Sequence, residues 1–125
     1  MESPRHRRGK TRIFLALLSD PRFSYVGMEV KLPAERQGYP YTADVYAETL
    51  RQVSPGVKVM RRIVLEADGK KGHSGILANR KDGLRTQMIR LKNMIVIRFN
   101  LGDLVGKKAN TVSQIIEEVD FWLAK

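Results

Sequence analysis

The spacing of apolar residues predicts the first structural element of the chain. Four apolar side chains recur at helical spacing within residues 10–19, namely Ile13, Phe14, Leu17 and Leu18. The predicted helix ends at Asp20-Pro21, because the residue before a proline disfavours helical backbone. Residues 1–9 are basic, polar and rich in helix-breaking residues, so we predict a flexible basic arm there and a single domain over residues 10–125.

In the middle of the chain, apolar residues fall mainly at every second position, which predicts strands. Three strands are expected, over residues 23–32, 41–50 and 57–67. The alternation shifts around Gly27, which suggests a β-bulge in the first of them. The third contains the run Ile63-Val64-Leu65, which is typical of a strand buried on both faces.

The second half of the chain alternates between helical and strand patterns. A helix is predicted over residues 79–92, a buried strand over 94–99, a loop over 102–110 and a last helix after Thr111. Thr111 and Gln114 form a capping-box pair. The strand–helix–strand order implies a parallel, right-handed crossover. We therefore expect an α/β three-layer core with a central mixed sheet of about four strands flanked by helices.

The composition excludes several classes of binding site and of protein. The chain has 125 residues, no cysteine and two histidines, which excludes a disulfide scaffold, a thiolate zinc site and a His-rich metal cluster. No apolar run approaches the roughly 20 residues of a membrane span, and no signal-peptide core follows the basic start. These observations predict a soluble, cytoplasmic, single-domain protein without a membrane partner.

The charge balance points to a polyanionic partner. Lysine and arginine number 23 against 13 acidic residues, which gives a net charge of +10 and a pI near 10.2. Such a basic small domain is typical of nucleic-acid binding, since each neutralised phosphate releases a counterion. The residues expected to contact nucleic acid are drawn from the basic clusters: Arg7, Arg8, Arg62, Lys70, Lys71 and Arg85.

Two carboxylates, Glu66 and Asp68, lie at the end of a predicted buried strand, two residues apart and so on one face. Asp44 lies on the preceding predicted strand, and pairing of the two strands would bring all three acids together. Carboxylates that converge repel each other unless a cation is bound, and hard oxygen ligands suit Mg²⁺ or Mn²⁺. A solvated strand end with no ligand is the alternative interpretation.

Several motifs of the second half occur in one order: Leu65-Glu66-Ala67-Asp68-Gly69, His73, Asp82-Gly83-Leu84-Arg85 and Ile95-Val96-Ile97-Arg98-Phe99. This series, over roughly residues 60–123, resembles the PD-(D/E)XK (restriction-endonuclease-like) nuclease superfamily, and in particular its very-short-patch-repair-like endonuclease domains. The resemblance implies a Mg²⁺-dependent endodeoxyribonuclease, with Mn²⁺ as a substitute metal. It also implies a possible role in DNA recombination or repair.

The resemblance also implies individual roles. Asp44 and Glu66 would be metal ligands, while Asp68 and His73 would orient or deprotonate the attacking water. Arg85 would support Asp68 or a phosphate. Relatives carry a glutamate on the first helix, whereas the helix predicted over residues 10–19 has none and Glu2 lies outside it.

Other interpretations stay open at this point. A second alignment would place the motif at Glu29-Val30-Lys31, with Asp20 upstream. A structure-specific nuclease of the Holliday-junction resolvase or nicking type is compatible with the size, and cleavage of both strands would require a homodimer. The alternatives are a non-catalytic nucleic-acid-binding module on a nuclease-like fold and a ribosome-associated or capsid-type protein that contacts RNA through its basic start.

Overall fold

The computed structural model describes residues 2–32, 41–68, 94–106 and 112–124. These ranges hold helices α1 (Pro4–Leu18), α2 (Leu101–Leu104) and α3 (Val112–Leu123), and strands β1 (Phe23–Leu32), β2 (Tyr41–Ser54), β3 (Val57–Asp68) and β4 (Met94–Asn100). The helix predicted over 79–92 and the cap at Thr111 lie outside the described residues. None of the helices in these ranges is long and apolar enough to cross a membrane.

The four strands form one mixed sheet in the order β1-β2-β3-β4. β2 is antiparallel to both β1 and β3, whereas β3 and β4 run parallel. The predicted mixed sheet of about four strands and the parallel pairing of the third and fourth strands are therefore confirmed. The strand predictions hold closely because alternation with a period of two is a local property of the sequence.

The first helix begins at Pro4, so the prediction of a flexible arm is wrong for residues 4–9. Ser3 caps the helix, with its side-chain oxygen accepting a hydrogen bond from the His6 amide at 3.1 Å. Pro4 occupies the first turn, where a missing amide hydrogen has no structural consequence. Gly9 packs so closely on α2 that a Cβ there would overlap the Leu101 side chain. A cap and a tertiary contact thus override a composition that favours disorder.

The core has two parts, one on each face of the sheet. The larger part lies under α1 and α3, where Ile13 and Ile115 pack with Leu65 of the sheet, all without solvent exposure. The smaller part lies on the opposite face and includes Val64 and Val96. Each fully buried side chain of this size contributes about 1.5–3 kcal/mol through the hydrophobic effect. The run Ile63-Val64-Leu65 is fully buried, so its predicted burial on both faces is confirmed.

Two local irregularities differ from the sequence prediction. The register of β1 against β2 shifts between Phe23 and Tyr25, not at Gly27, and Glu29 has a φ of 52° within the strand. The predicted loop over 102–110 begins instead with the short helix α2. Asn100 caps this helix, with its side-chain oxygen accepting a hydrogen bond from the Gly102 amide at 2.8 Å.

The β2–β3 hairpin extends beyond the rest of the described sheet. Pairing of β2 with β1 ends at Thr49, and pairing of β3 with β4 begins at Arg62. Within the described ranges, residues 50–61 therefore pair only with each other around a Pro55–Gly56 turn, in which Gly56 has a φ of 75°. We call residues 50–61 the hairpin arm. Every residue from 51 to 60 is exposed.

Candidate functional site

The predicted site residues Asp44 and Glu66 lie at the end of the β2–β3 ladder opposite the hairpin arm. Val45 and Leu65 are the last paired residues at this end. Asp44 immediately precedes Val45 in β2, and Glu66 immediately follows Leu65 in β3. The predicted pairing of these two strands is correct, and it brings both acidic residues to the same end of the sheet.

Asp44 is held by the backbone of β3 at the point where the ladder ends. Its Oδ2 accepts a hydrogen bond from the Ala67 amide at 2.9 Å. His6 of α1 lies beside it, with 3.5 Å between His6 Nε2 and Asp44 Oδ2 and 2.8 Å between His6 Nε2 and the Ala67 carbonyl oxygen. Asp44 and His6 thus contact the amide and the carbonyl of the same β3 residue. These contacts hold α1 against the ends of β2 and β3.

Glu66 occupies a different environment. Its neighbours Leu65 and Ala67 belong to the core under α1, so alternation places Glu66 on the opposite face with Val64. Glu66 is only 5% exposed, and its register partner on β4 is Arg98. Asp68, at the end of β3, is half-buried.

The most buried charge in this region belongs to Lys10 of α1. The Lys10 side chain is 5% exposed, and its Nζ lies 2.6 Å from Glu2 Oε1 and 2.7 Å from Glu29 Oε1. Burial alone would lower the pKa of Lys10, but the hydrogen bonds to Glu2 and Glu29 outweigh it and raise that pKa. The hydrogen bond from Lys10 in turn lowers the pKa of Glu29.

Backbone strain occurs at the same place. Glu29 adopts the left-handed φ of 52° within β1, a conformation that is unfavourable for a residue with a side chain. Such outliers persist only where the surrounding structure fixes them, and the ion pair with Lys10 is one such constraint. We call Glu2, His6, Lys10, Glu29 and Asp44 the charged cluster.

Sequence reasoning overlooked three members of this cluster. Glu2, His6 and Lys10 are spaced by four residues, and this spacing places side chains on one face of a helix. His6 Nδ1 also lies 3.4 Å from Glu2 Oε1. The early start of α1 therefore brings Glu2, which lay outside the predicted helix, next to the cluster. The signal that reveals this start is the Ser3-Pro4 pair, a capping residue followed by a proline.

The candidate ligands for a divalent cation are two carboxylates, one on β2 and one on β3. Asp44 and Glu66 offer hard carboxylate oxygens, and Mg²⁺ is usually held by one or two protein carboxylates together with several waters. The oxygen chemistry of these two side chains suits Mg²⁺, whereas the structure places Asp44 with α1 and Glu66 on the opposite face of the sheet. Within the described ranges, no three acidic or histidine side chains form a group that could hold a metal ion, so the expected convergence of three acids is not seen there.

A cationic groove runs along α1 next to the charged cluster. It has a volume of about 640 Å³ and is lined on one side by Arg7, Arg8 and Arg12 and on the other by α2 and the residues after it, Leu104–Gly106. Among the residues that the structure describes, no acidic side chain lines it. The predicted nucleic-acid-binding residues Arg7 and Arg8 thus share one surface, whereas Arg62 lies exposed at the base of the hairpin arm.

Several predicted site residues lie outside the described ranges, namely His73, Lys70, Lys71 and Arg85. The second alignment, through Asp20 and Glu29, can be compared with the structure. Asp20 Oδ2 accepts a hydrogen bond from Arg22 Nη2 at 2.7 Å in the turn before β1, which lowers the pKa of Asp20. Glu29 lies near the other end of β1 with Lys10, so these two acids do not share a site.

No protein-family model, no curated protein and no solved structure matches this chain.

Proposed function

We propose that this protein is a Mg²⁺-dependent endodeoxyribonuclease with a restriction-endonuclease-like core. The observation that carries the proposal is that Asp44 on β2 and Glu66 on β3 both lie immediately beyond the last β2–β3 pair. His6 and Lys10 lie at the same end of the sheet, and the arginine-lined groove runs along the same helix. An acidic pair beside a cationic groove suits the hydrolysis of a phosphodiester in a polyanion.

The order of elements supports the same proposal. A helix is followed by three antiparallel strands and then by a strand parallel to the third. This order agrees with the motif series from Glu66 to Phe99 that resembles the PD-(D/E)XK superfamily. The series lies mostly after β3, whereas Asp44 and His6 come from elements before it, and Glu66 belongs to both lines of support.

The roles follow from the chemistry of phosphodiester hydrolysis. Asp44 and Glu66 would hold Mg²⁺, which when bound supplies a water of lowered pKa and offsets charge on the phosphate. Asp68 and His73 are proposed to orient or deprotonate the attacking water. His6 is a positioning residue, because its imidazole lies between the Asp44 carboxylate and the Ala67 carbonyl. Arg7 and Arg8 are proposed to bind the phosphates of the strand that enters the site.

Water attacks phosphorus, the bond to the 3′ oxygen breaks, and the product carries a 5′-phosphate. One such site cuts one strand of a duplex. Cleavage of both strands, or symmetric resolution of a four-way junction, requires two copies related by a two-fold axis. A homodimer is therefore part of the proposal for a junction-resolving enzyme, and a monomer suffices for a nicking enzyme.

The test is a cleavage assay on duplex, nicked, mismatched, single-stranded and four-way-junction DNA with Mg²⁺, Mn²⁺ or EDTA. We expect metal-dependent cleavage that Asp44→Ala and Glu66→Ala each abolish while DNA binding is kept. Glu117→Ala is the matched control, since Glu117 is an exposed acid on α3. Full activity in both site variants would overturn the assignment of the site.

A non-catalytic nucleic-acid-binding module is the second candidate. It is favoured by the ion pairs of Lys10, whose ammonium group already pairs with two carboxylates of the charged cluster. Mg²⁺ or Mn²⁺ that binds the folded chain must raise its melting temperature. A shift that Glu66→Ala removes favours the nuclease, whereas no shift together with salt-sensitive DNA binding favours the module.

A further inference from the structure

The hairpin arm has no neighbour on either edge among the residues that the structure describes. Its two strands extend past the last β1 pair at Thr49 and stop before the first β4 pair at Arg62. A two-stranded ribbon that stands alone in water is marginally stable. An arm that is exposed along its whole length contributes little to the core, so its length calls for a function outside the fold.

The charge of the arm has one sign. Residues 50–61 contain three cations and no acidic residue, and the cations are Arg51, Lys58 and Arg61. Arg51 and Arg61 also line a groove of about 380 Å³ at the base of the arm, together with Arg22. Arg61 Nη1 donates a hydrogen bond to the Leu123 carbonyl, which anchors the base of the arm to α3. The cationic surface thus continues from the arm onto the body of the domain.

Cations and apolar side chains share both faces of the arm. Arg51 pairs with Val59 across the ribbon, and Gln52 pairs with Lys58 on the other face, because neighbouring residues of a strand alternate. Five apolar side chains of the arm are exposed: Leu50, Val53, Val57, Val59 and Met60. This mixture suits a surface of phosphates, sugars and base edges better than a flat apolar interface.

We propose that the hairpin arm binds duplex DNA as a two-stranded ribbon lying in the major groove, which is wide enough to admit one. Arg51 and Lys58 neutralise phosphates on the two sides of the groove. Pro55, the first residue after β2, lies 11 positions after Asp44, and at about 3.3 Å per residue this separation is about 36 Å. One turn of B-form DNA is about 34–36 Å long.

The position of the arm relative to the cut rests on the proposed function. If the scissile phosphate lies at the Mg²⁺ site proposed for Asp44 and Glu66, the tip of the arm contacts the duplex about one helical turn away. The enzyme would therefore need duplex DNA well beyond the cut, which selects long or branched substrates over short ends.

A second copy of the chain fits the surface of the hairpin arm less well than DNA does. In a two-fold symmetric dimer the same surface faces itself, so Arg51 and Lys58 would meet identical cations with no acid in the arm to pair with. Like charges brought together in this way oppose association. The phosphates of DNA supply the missing anions.

The test is fluorescence anisotropy on 10-bp and 25-bp duplexes in EDTA, where no cleavage takes place. We expect the wild-type chain to bind the longer duplex more tightly and R51A/K58A to lose about tenfold on that duplex only, with the slope of log K against log[salt] reduced by about 1.8, that is, about 0.9 for each phosphate contact. R51K/K58R, which keeps the charge, and Q52A, which removes an exposed neutral side chain, are expected to bind as the wild type does. Circular dichroism of each variant confirms that it is folded.

Wild-type affinity and slope in R51A/K58A on both duplexes would overturn the inference, while the cleavage assay would still decide the proposed function. If R51A/K58A loses binding to the long duplex and the wild-type chain never cleaves DNA, the DNA-binding role of the arm is supported and the proposed nuclease activity is overturned. A wild-type dimer in sedimentation that V57D/V59D dissociates, with DNA binding unchanged, would make the arm a self-association surface and overturn the inference.

Discussion

Charged side chains have opposite environments at the two ends of the β2–β3 hairpin. At one end, Lys10 is nearly buried between Glu2 and Glu29, and Asp44 is fixed by the Ala67 amide and by His6. At the other end, Arg51 and Lys58 of the hairpin arm are exposed and no acid of the arm accompanies them. A buried charge must be paired because it has lost its water, whereas an exposed charge stays hydrated until a partner arrives.

The difference comes from what surrounds each end of the same two strands. The end with the charged cluster is covered by α1 and flanked by β1 and β4, so each polar group meets a fixed partner. The hairpin arm has no such flanking elements among the described residues. Preorganised polar groups are what catalysis requires, and hydrated cations on a projecting ribbon are what binding to a polyanion requires.

The largest expected contrast is between two apolar residues of β3. Leu65→Ala removes a fully buried side chain and should lower the free energy of unfolding by about 3 kcal/mol, because it leaves a cavity under α1. Val59→Ala, six residues earlier on the same face and 44% exposed, should change it by less than about 0.5 kcal/mol. Urea denaturation measures both, and equal effects would mean that the arm packs against something in solution.

Removal of the buried ammonium should give the next largest effect. Lys10→Met leaves Glu2 and Glu29 without their shared partner and should lower the free energy of unfolding by about 2 kcal/mol. This value is smaller than for a fully buried ion pair, because Glu29 is exposed enough to regain water. Arg51→Met in the hairpin arm is the matched control, with an expected change near zero. A stable K10M chain would show that the charged cluster does not stabilise the fold.

The turn of the arm offers a smaller effect. Gly56 has a φ of 75° and open space around it, so Gly56→Ala meets no clash but adopts a conformation that costs about 1–2 kcal/mol. The strain falls on the arm alone, so hydrogen exchange should increase for amides of residues 51–60 and stay unchanged at Ile63 and Leu65. A uniform increase over the whole sheet would contradict the view that the arm is energetically separate.

The smallest effect concerns pH. The pKa of Glu29 is lowered in the folded chain, so its pairing contributes stability above the ordinary value of 4.5 and loses it as the pH falls through the folded-state pKa. The pKa of Lys10 is raised, so its contribution holds below 10.5 and is lost as the pH rises through the folded-state pKa. The stability difference between the wild type and K10M should therefore shrink from pH 7 to pH 3. A stability difference that does not change with pH would mean that Lys10 stabilises the fold through packing and not through its charge.

Much of the sheet follows from the sequence, and much of the site does not. The bounds of β1 follow from alternation, and the parallel pairing of β3 with β4 follows from the strand–helix–strand pattern. Glu66 comes from the same pattern, since it lies near the end of a predicted strand, and Asp44 lies on the strand predicted before it. The start of α1 was mispredicted, because a basic segment with glycine and proline resembles a disordered one until its cap and its contact with α2 are known.

The sequence by itself determined the kinds of elements, their order, the direction of the strands and the excess of positive charge, because these depend on spacing and composition along the chain. Only the tertiary structure decided that Lys10 is buried between two carboxylates, that Asp44 and Glu66 have different surroundings, and that the β2–β3 pair extends past its neighbours. These outcomes depend on where distant segments begin and end relative to one another. Periodicity within one segment carries no information about its neighbours in space.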